Sequence, residues 1–420
     1  MTRGRWIAAA GLMLAASASC AQAAANETGR FVRTVWAKTS GNRFRVNSPD
    51  TKTGRYKDRR EARQTGRMAL HIDEDLSQAA SAELYLELWG GHPGVANKRF
   101  VLNGKGTYRL PEVGAAAKNC TYSYPTVPLK LAELIRGENV LAFTCDRGGA
   151  FWGHYLIRAA CVRLGLKPGG PALRRAGLAS FSTRVAVRAS GGGAEAVELS
   201  VPVAPDVAKR IARVEYWGRY AGYDENGDGR FDDWHGFTKD RKPAGILGTA
   251  TDPPFALRWD LSMVPPAAKL AARARVHWRD APGIVYETPA AQAAFPARRG
   301  RRVALYTSKD LPRPFWSRAG RAMKCTINLD VAPAKIERAE LHVVIWDGGK
   351  GATPEPFTLN GRALAVAGGG RHDVLYRIVP VDPRLLRRGA NEVRVLSDTK
   401  HHGIEVVLPG PALMVRSRPD

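Results

Sequence analysis

Residues 223–235 carry the side chains whose types and spacing are best suited to chemistry. They read Y-D-E-N-G-D-G-R-F-D-D-W-H. Oxygen-bearing side chains at alternate positions of a tight loop can converge on one hard cation, and Ca²⁺ takes about six to eight oxygen ligands. The sequence therefore predicts a structural Ca²⁺ site whose ligands are Asp224, Asn226, Asp228, the backbone carbonyl of Arg230, and Asp232.

The D-x-[DN]-x-D-G-x-x-D spacing resembles the calcium loops that lie between β-strands in extracellular proteins. The helical EF-hand version of such a loop has a Glu at its twelfth position, where this sequence has His235. A solvated acidic turn is the alternative interpretation, because Asp, Asn and Gly are common turn residues. Both interpretations place this stretch in a loop.

The first 25 residues have the features of a secretory signal peptide. A basic start is followed by an apolar run over residues 6–18 and by small residues up to Ala25. Cys20 offers a lipoprotein anchor as the less favoured alternative, since Ser17 stands where an aliphatic residue is expected. No later stretch is apolar enough to span a membrane. The sequence predicts a secreted or periplasmic protein.

The chain is strongly basic. Its 64 Lys and Arg residues exceed its 39 Asp and Glu residues by 25, and +23 remains once Arg3 and Arg5 leave with the signal peptide. Such a charge attracts polyanions, among them acidic polysaccharides and other polymers of a cell surface. A generally basic surface without a dedicated partner is the alternative. No motif indicates specific nucleic-acid recognition.

Four cysteines follow the signal peptide, and an exported protein can form disulfides. They allow three complete pairings, which the sequence alone does not distinguish. The preferred bridge joins Cys120 to Cys145. No C-x-x-C pair is present, so a zinc site is not expected. The remaining two cysteines are Cys161 and Cys325.

An internal repeat is the strongest signal for domain organisation. Residues 82–89 alternate between apolar and polar types, as a half-buried strand does, and the same segment returns at an offset of 257, so that Trp89 corresponds to Trp346. A later L-x-x-G-x-N motif returns at an offset of 252, where Asn139 corresponds to Asn391. The repeat predicts two copies of one module.

Both copies carry F-x-L-N-G, which suits a two-residue hairpin, followed by L-x-x-G-x-N before a strand. This pattern resembles the galactose-binding-like jelly-roll superfamily, particularly the sugar-binding sandwich domains attached to glycosidases. The resemblance covers roughly residues 68–166 and 322–418. It implies a β-sandwich fold, and it indicates carbohydrate binding only weakly, because the superfamily also includes structural modules.

The predicted fold class is all-β, with three β-sandwich domains in a row. The segment between the repeats has about seven short strands with turn signals, which is typical of an immunoglobulin or fibronectin III-like sandwich. The predicted boundaries are a signal peptide at 1–25, a basic N-terminal segment at 26–67, a galactose-binding-like sandwich at 68–168, an Ig-like sandwich with the calcium loop at 175–296, and a second galactose-binding-like sandwich at 303–420.

Catalytic motifs are absent: there is no G-x-S-x-G, no H-E-x-x-H, no Walker loop and no dinucleotide fingerprint. Aromatic and polar side chains in the loops of the two repeats instead suit sugars, whose C–H faces stack on rings. Trp89 and Trp346 are interpreted as packing residues, because they hold equivalent repeat positions. The predicted ligand-binding residues are Arg147, Trp152, His154, Tyr155, His401 and His402.

The sequence therefore predicts a secreted, non-catalytic carbohydrate-binding protein that recognises a polysaccharide, acidic in one version of the hypothesis. Two alternatives remain open. One is a glycosidase or lyase whose catalytic residues are not recognised, and the other is an adhesin or scaffold that contacts protein. Enzyme function is left uncertain, with the weight against it.

Overall fold

The structure is a computed structural model that describes residues 28–38, 44–47, 66–91, 95–111, 120–146, 154–190, 195–298, 300–366 and 369–419. The signal peptide and most of the basic N-terminal segment lie outside these ranges. The described chain is all-β, with several antiparallel sheets and two short helices. No helix in these ranges has the length and hydropathy that crossing a membrane requires.

The described part of the first sandwich is built from ten strands, of which β9 alternates between buried and half-buried residues over most of its length. The strands are β1 Arg30–Trp36, β2 Phe44–Asn47, β3 Arg67–Ile72, β4 Ala79–Trp89, β5 Ala96–Leu102, β6 Gly106–Arg109, β7 Tyr122–Ser123, β8 Thr126–Leu129, β9 Gly137–Asp146 and β10 His154–Leu166.

The middle sandwich contains both α-helices, each of which begins with a proline, a residue that suits a first helical turn. Its elements are α1 Pro171–Arg175, β11 Ala186–Ala189, β12 Ala196–Ser200, α2 Pro205–Arg210, β13 Ile211–Ala221, β14 Asp232–Trp234, β15 Phe237–Lys239, β16 Lys242–Ala244, β17 Gly248–Ala250, β18 Leu257–Asp260, β19 Ala271–Trp278, β20 Ile284–Glu287 and β21 Ala291–Gln292.

The third sandwich again has ten strands. They are β22 Arg302–Thr307, β23 Trp316–Ser317, β24 Met323–Leu329, β25 Ile336–Gly348, β26 Phe357–Leu359, β27 Arg362–Ala363, β28 Asp373–Val381, β29 Gly389–Val395, β30 Gly403–Val406 and β31 Ala412–Ser417. Each of the three sandwiches encloses a hydrophobic core of its own.

The sequence repeat corresponds to a repeat of topology. One sheet of the first sandwich has the order β3-β9-β5-β6, and one sheet of the third has the order β24-β29-β26-β27. Short 3₁₀ turns occupy equivalent places before β4 and β25, at Leu76–Gln78 and Pro333–Lys335. The two copies therefore share their strand order as well as their motifs.

The repeated motifs meet in the same hydrogen-bond network in each copy. Asn360 adopts φ 50° and Gly361 φ 78°, which is the left-handed conformation that a two-residue hairpin needs. The Asn360 side chain donates to Oδ1 of Asn391 at 2.9 Å. Asn103 and Asn139 make the equivalent bond at 2.8 Å. The motifs therefore define the fold of each copy.

The first and middle sandwiches share one large sheet, whose central path is β14-β13-β19-β20-β1-β10-β4-β7. Strand β1 makes the connection, because it pairs with β20 on one side and with β10 on the other. Phe31 and Val32 of this strand are buried. The segment at residues 26–67 was predicted to precede the sandwiches, and its strands β1 and β2 are instead part of them.

All three sandwiches meet at a junction around the loop that carries the predicted calcium ligands. The Tyr223 hydroxyl donates to the carbonyl of Gly410 at 2.7 Å and accepts from the Val344 amide at 3.2 Å. On the other side, Glu87 of β4 accepts hydrogen bonds from the hairpin β15–β16, including 2.6 Å from Thr238 Oγ1. The middle sandwich therefore contacts both repeats and is more than a spacer.

Candidate functional site

Four aromatic side chains gather at one end of the third sandwich. We call Trp316, Trp346, His372 and His402 the aromatic platform. The Trp346 and His372 rings are stacked, with centroids 5.8 Å apart and an interplanar angle of 13°. His402 lies 5.5 Å from Trp346 and 4.5 Å from His372. The two histidines are exposed and the two tryptophans are half-buried.

Strand pairing brings these residues together from distant parts of the chain. Trp316 on β23 and Trp346 on β25 lie on either side of β30, and both are in register with Glu405. His372 precedes β28 and His402 precedes β30, with positive φ values of 53° and 71°. The platform therefore rests on a rigid sheet, with its histidines in the adjoining loops.

Glycines allow the Trp346 ring to lie flat at this end of the sheet. A Cβ on Gly348 would lie 2.3 Å from the Trp346 ring and 2.5 Å from the carbonyl of Gly403. A Cβ on Gly403 would lie 2.2 Å from the Ser317 carbonyl. Since any larger residue would collide at both positions, the two glycines are required for the position of the ring.

Polar groups surround the platform. The Trp316 indole nitrogen donates to the His402 carbonyl, and the Arg318 guanidinium lies 4.1 Å from the Trp316 ring centroid. The arrangement combines aromatic faces with hydrogen-bonding groups, which is the combination that a sugar ring requires.

The residues predicted to bind ligand are divided by the structure. His402 belongs to the platform and His401 is exposed beside it. His154 and Tyr155 begin strand β10 and are buried. Tyr155 is fully buried, and its hydroxyl donates to the Thr144 carbonyl at 3.3 Å, so it has a packing role. Trp152 and Arg147 lie outside the described residues.

The first sandwich has only part of an equivalent arrangement among its described residues. The Trp89 ring lies 5.5 Å from the His154 ring. His154 is buried, and its Nε2 lies 2.9 Å from the Arg45 guanidinium. Trp89 packs against a cluster of buried residues between the sandwiches, which we call the junction cluster: Cys120, Tyr122, Tyr223, Val344, Val407 and Ala412. Trp346, for which the repeat predicts a packing role, is half-buried like Trp89 but belongs to the aromatic platform. The two copies therefore differ at this position.

Strand order explains why sequence reasoning missed Trp316, His372 and Arg318. These residues follow no spacing rule, because they come from separate elements of the third sandwich. The only sequence signal for the platform is the pair of histidines before β30, which indicates the part of the platform that His402 forms.

The predicted calcium ligands lie in a turn between β13 and β14. The Asp224 carboxylate accepts from the amides of Asp228 and Gly229 at 2.9 and 3.0 Å. Asn226 Oδ1 also accepts from the Asp228 amide, at 3.2 Å. Asp232 lies on β14 with its side chain exposed. Three of the predicted side-chain ligands thus bind the loop's own backbone.

Arg230 is exposed, and its guanidinium pairs with Asp233 at 2.8 Å. Burial, together with the neighbouring Asp228 charge, raises the pKa of Asp224 to about 7. Within the described ranges, no three His, Cys, Asp or Glu side chains are spaced to hold a metal ion. The Ca²⁺ site stays a prediction.

The predicted disulfide partners enter different clusters. Cys120 belongs to the junction cluster, where its thiol hydrogen-bonds to Glu405, and Cys145 belongs to the core of the first sandwich. The structure has no disulfide bond among the four described cysteines. The Cys120–Cys145 bridge is therefore absent from this structure.

Glu405 is the most unusual carboxyl group near the platform. It is 5% exposed, and burial raises its pKa to about 7. One of its oxygens, Oε1, is buried without a hydrogen-bond partner. A glycosidase needs two carboxylates that face each other across a sugar. The residues in register with Glu405 on the two neighbouring strands are Trp316 and Trp346, and neither supplies a second carboxylate.

A cavity of about 290 Å³ lies where the three sandwiches meet. Its aromatic wall includes Tyr124 and Phe237, whose rings are stacked with centroids 4.6 Å apart. Its charged groups are paired: Arg158 and Lys239 both bind Asp373. Because these charges are satisfied within the protein, the cavity is better explained as part of the junction than as a ligand site.

No protein-family model matches the chain, and no curated protein matches it. The chain is similar in structure to a β-porphyranase of glycoside hydrolase family 86 from the human gut bacterium Bacteroides plebeius, with a TM-score of 0.25 and 14% identity over 56% of this chain and 36% of that chain. It is also similar to wild-type BuGH86 in complex with neoagarooctaose, with a TM-score of 0.23 and 13% identity over 56% of this chain and 34% of that chain. The chain thus spans about a third of the length of these structures.

Proposed function

We propose that this protein binds a polysaccharide without cleaving it, through the aromatic platform of the third sandwich. The observation that carries the proposal is the cluster of Trp346, His372 and His402 at one end of the sheet, in which His372 stacks on Trp346 and His402 is tilted against both rings. Loops on rigid sandwiches are common places for binding sites. Half-buried rings offer a face to a sugar, and Arg318, which lies over Trp316, offers hydrogen bonds to its hydroxyls.

The proposed partner is a polymer outside the cytoplasm. The signal-peptide features of residues 1–25 support export, and the charge of +23 that remains after their removal supports attraction to an acidic polymer. The electrostatic attraction to an acidic polymer weakens as the salt concentration rises, because ions screen exposed charges. Stacking on the platform does not depend on salt in this way.

An adhesin or scaffold that contacts protein is less well supported. Such a surface would present a contiguous apolar patch. Among the described residues, the large hydrophobic side chains that are exposed are Ile135, Phe231 and Ile378, and each belongs to a different sandwich. They form no shared patch.

The function is tested by retention of the mature protein on immobilised neutral and acidic polysaccharides, at low and high salt. The proposal predicts retention on at least one polysaccharide that persists at high salt. His372→Ala is expected to weaken that retention, because it removes the ring stacked on Trp346. Ile378→Ala is the matched control, since Ile378 is an exposed residue of the same sandwich, 51% accessible.

Three results would reject this function. Retention that disappears entirely in high salt would mean that binding is only charge attraction by a basic surface. Equal retention of wild-type protein, His372→Ala and Ile378→Ala would place binding elsewhere. Release of new reducing ends from a retained polysaccharide would instead show an enzyme.

A further inference from the structure

The middle sandwich presents a row of tryptophan and arginine side chains on the face of the large sheet that points away from its core. Tyr216 of β13 and Ala274 of β19 enter the hydrophobic core. Residues at the alternate positions point to the opposite face. Strand pairing places Trp217 opposite Arg273 and Arg219 opposite Trp234.

Two of the guanidinium groups lie over indole rings. The Arg275 guanidinium carbon is 4.1 Å from the Trp217 ring centroid, and the Arg273 carbon is 4.4 Å from the Trp234 centroid. Arg275 also donates from Nε to Glu287 at 2.8 Å. The tryptophans therefore hold the arginines in defined orientations, as cation–π contacts do.

Among the described residues, Arg219 and Arg273 form no direct ion pair, although the charges of Asp233 and Glu287 act on them from nearby. Within the described ranges, neither side chain makes a hydrogen bond or an ion pair, and the Nε atom of each is buried without a partner. The nearby carboxylates are occupied by other cations: Glu215 by Arg213 and His277, Glu287 by Arg30, Arg163 and Arg275, and Asp233 by Arg230.

These two arginines lie close together. Since Arg219 is opposite Ala271 and Trp217 is opposite Arg273, the pair occupies diagonal positions of an antiparallel ladder. Diagonal Cβ atoms are about 7–8 Å apart in such a ladder. Both residues flank Trp234, and all three side chains are half-buried. Burial lowers the pKa of Arg273 to about 10, with a further contribution from the neighbouring Arg275, whereas the Glu287 charge opposes the shift.

We propose that Arg219, Trp234 and Arg273 form a binding site for a uronate-bearing polysaccharide, in which the sugar carboxylates supply the missing counter-charges. A guanidinium has a planar fork of donors that matches a carboxylate with two parallel hydrogen bonds. The Arg273 guanidinium lies over the Trp234 ring. The Trp234 ring adds an apolar surface beside it for the C–H face of the sugar.

This site is separate from the aromatic platform, because it lies in the middle sandwich and uses ion pairs in addition to ring contacts. It does not depend on the proposed function of the third sandwich.

The site is tested by calorimetric titration of the full mature protein with an oligogalacturonate. Arg273→Gln and Arg219→Gln are each expected to raise Kd by about tenfold or more, the loss of one charge-assisted bidentate contact. Arg273→Lys is expected to weaken binding too, because an ammonium keeps the charge but lacks the planar fork. Arg184→Gln is the matched control, since Arg184 is an exposed arginine of the same sandwich.

Three outcomes would overturn the inference. Equal loss of affinity in Arg184→Gln would show general charge attraction. Unchanged affinity in Arg219→Gln and Arg273→Gln, with unfolding temperatures near that of wild type, would place any uronate binding elsewhere. Equal binding of sulfated dextran or polyglutamate would remove the assignment to uronates. Trp346→Ala separates the two sites, because the loss of oligogalacturonate affinity caused by Arg219→Gln and by Arg273→Gln should be equally large in the Trp346→Ala background.

Discussion

At the scale of single residues, the motifs that repeat in the sequence serve the fold and not the ligand. Asn391 is fully buried, and its side chain binds the backbone of Arg387 and Gly389 as well as Asn360. The Asn-Gly hairpin could be predicted from its letters, because both residues tolerate positive φ. The contact between the two asparagines could not, since their motifs lie about 30 residues apart in the chain.

Asn391→Ala is expected to destabilise the protein by about 3 kcal/mol, because it leaves several buried polar groups without partners. The free energy of unfolding, measured by urea denaturation, is the test. Asn328→Ala is the control, since Asn328 lies on the neighbouring strand β24 and is exposed. Equal effects of the two substitutions would mean that the network adds nothing to stability.

Glu405 makes a prediction about pH. Burial raises the pKa of its carboxyl from 4.5 to about 7, so the folded protein holds this proton more tightly than the unfolded chain does. The contribution of protonated Glu405 to the stability of the folded protein is complete below about pH 4.5. As the pH rises from there through 7, about 3 kcal/mol of the free energy of unfolding is lost. Glu405→Gln keeps the shape without the ionisation. It should raise the unfolding temperature at pH 8 and change it little at pH 4.

The measurement is thermal unfolding of wild type and Glu405→Gln across that range of pH. A difference between the two proteins that is the same at pH 4 and pH 8 would contradict the shifted pKa.

At the scale of elements, the aromatic platform shows how far a sequence leads toward a site. The loop before β30 was identified by its histidines, and His402 does reach the platform. The aromatic and polar composition of its segment predicts that Tyr155 binds ligand, whereas Tyr155 lies on β10 and is fully buried. Trp316 and His372 were missed, since only the pairing of β23, β30, β25 and β28 places them together.

The turn between β13 and β14 carries the calcium prediction. Ca²⁺ bound there would stabilise the folded protein, because a ligand that binds only the folded state shifts the unfolding equilibrium. Excess Ca²⁺ is therefore expected to raise the unfolding temperature by several degrees over that in chelator, and Asp228→Ala should abolish this difference. Thermal unfolding of both proteins with and without Ca²⁺ is the measurement. If chelator leaves wild type unchanged, the loop is a turn without an ion.

At the scale of the whole molecule, the alternation of strands and the repeat were enough to predict an all-β protein with three sandwiches. Their assembly was not predictable in the same way. Arg30 of β1 contacts Glu287 of β20 across 257 residues of sequence, and the hairpin β15–β16 contacts β4 through Glu87 and Thr238. Because these contacts join distant segments, local patterns suggested a row of domains, whereas the structure connects all three.

This assembly limits how the protein can use its two repeats. Both tryptophans are half-buried, but Trp89 packs against the junction cluster, whereas Trp346 contacts His372 and His402 of the aromatic platform. The two equivalent positions are therefore expected to differ in function, and bivalent binding through both repeats is not expected. Trp89 and Trp346 therefore offer a matched comparison within one protein.

The most direct test of the account is the affinity of Trp346→Ala and Trp89→Ala for a polysaccharide that the wild-type protein retains at high salt. Trp346→Ala is expected to lose about 2 kcal/mol, which is about thirtyfold in Kd, as truncation of a central aromatic contact does. Trp89→Ala should keep the affinity of wild type, although it can lower the unfolding temperature. Wild-type affinity in Trp346→Ala, or an equal loss in both variants, would contradict the assignment of the platform as the binding site.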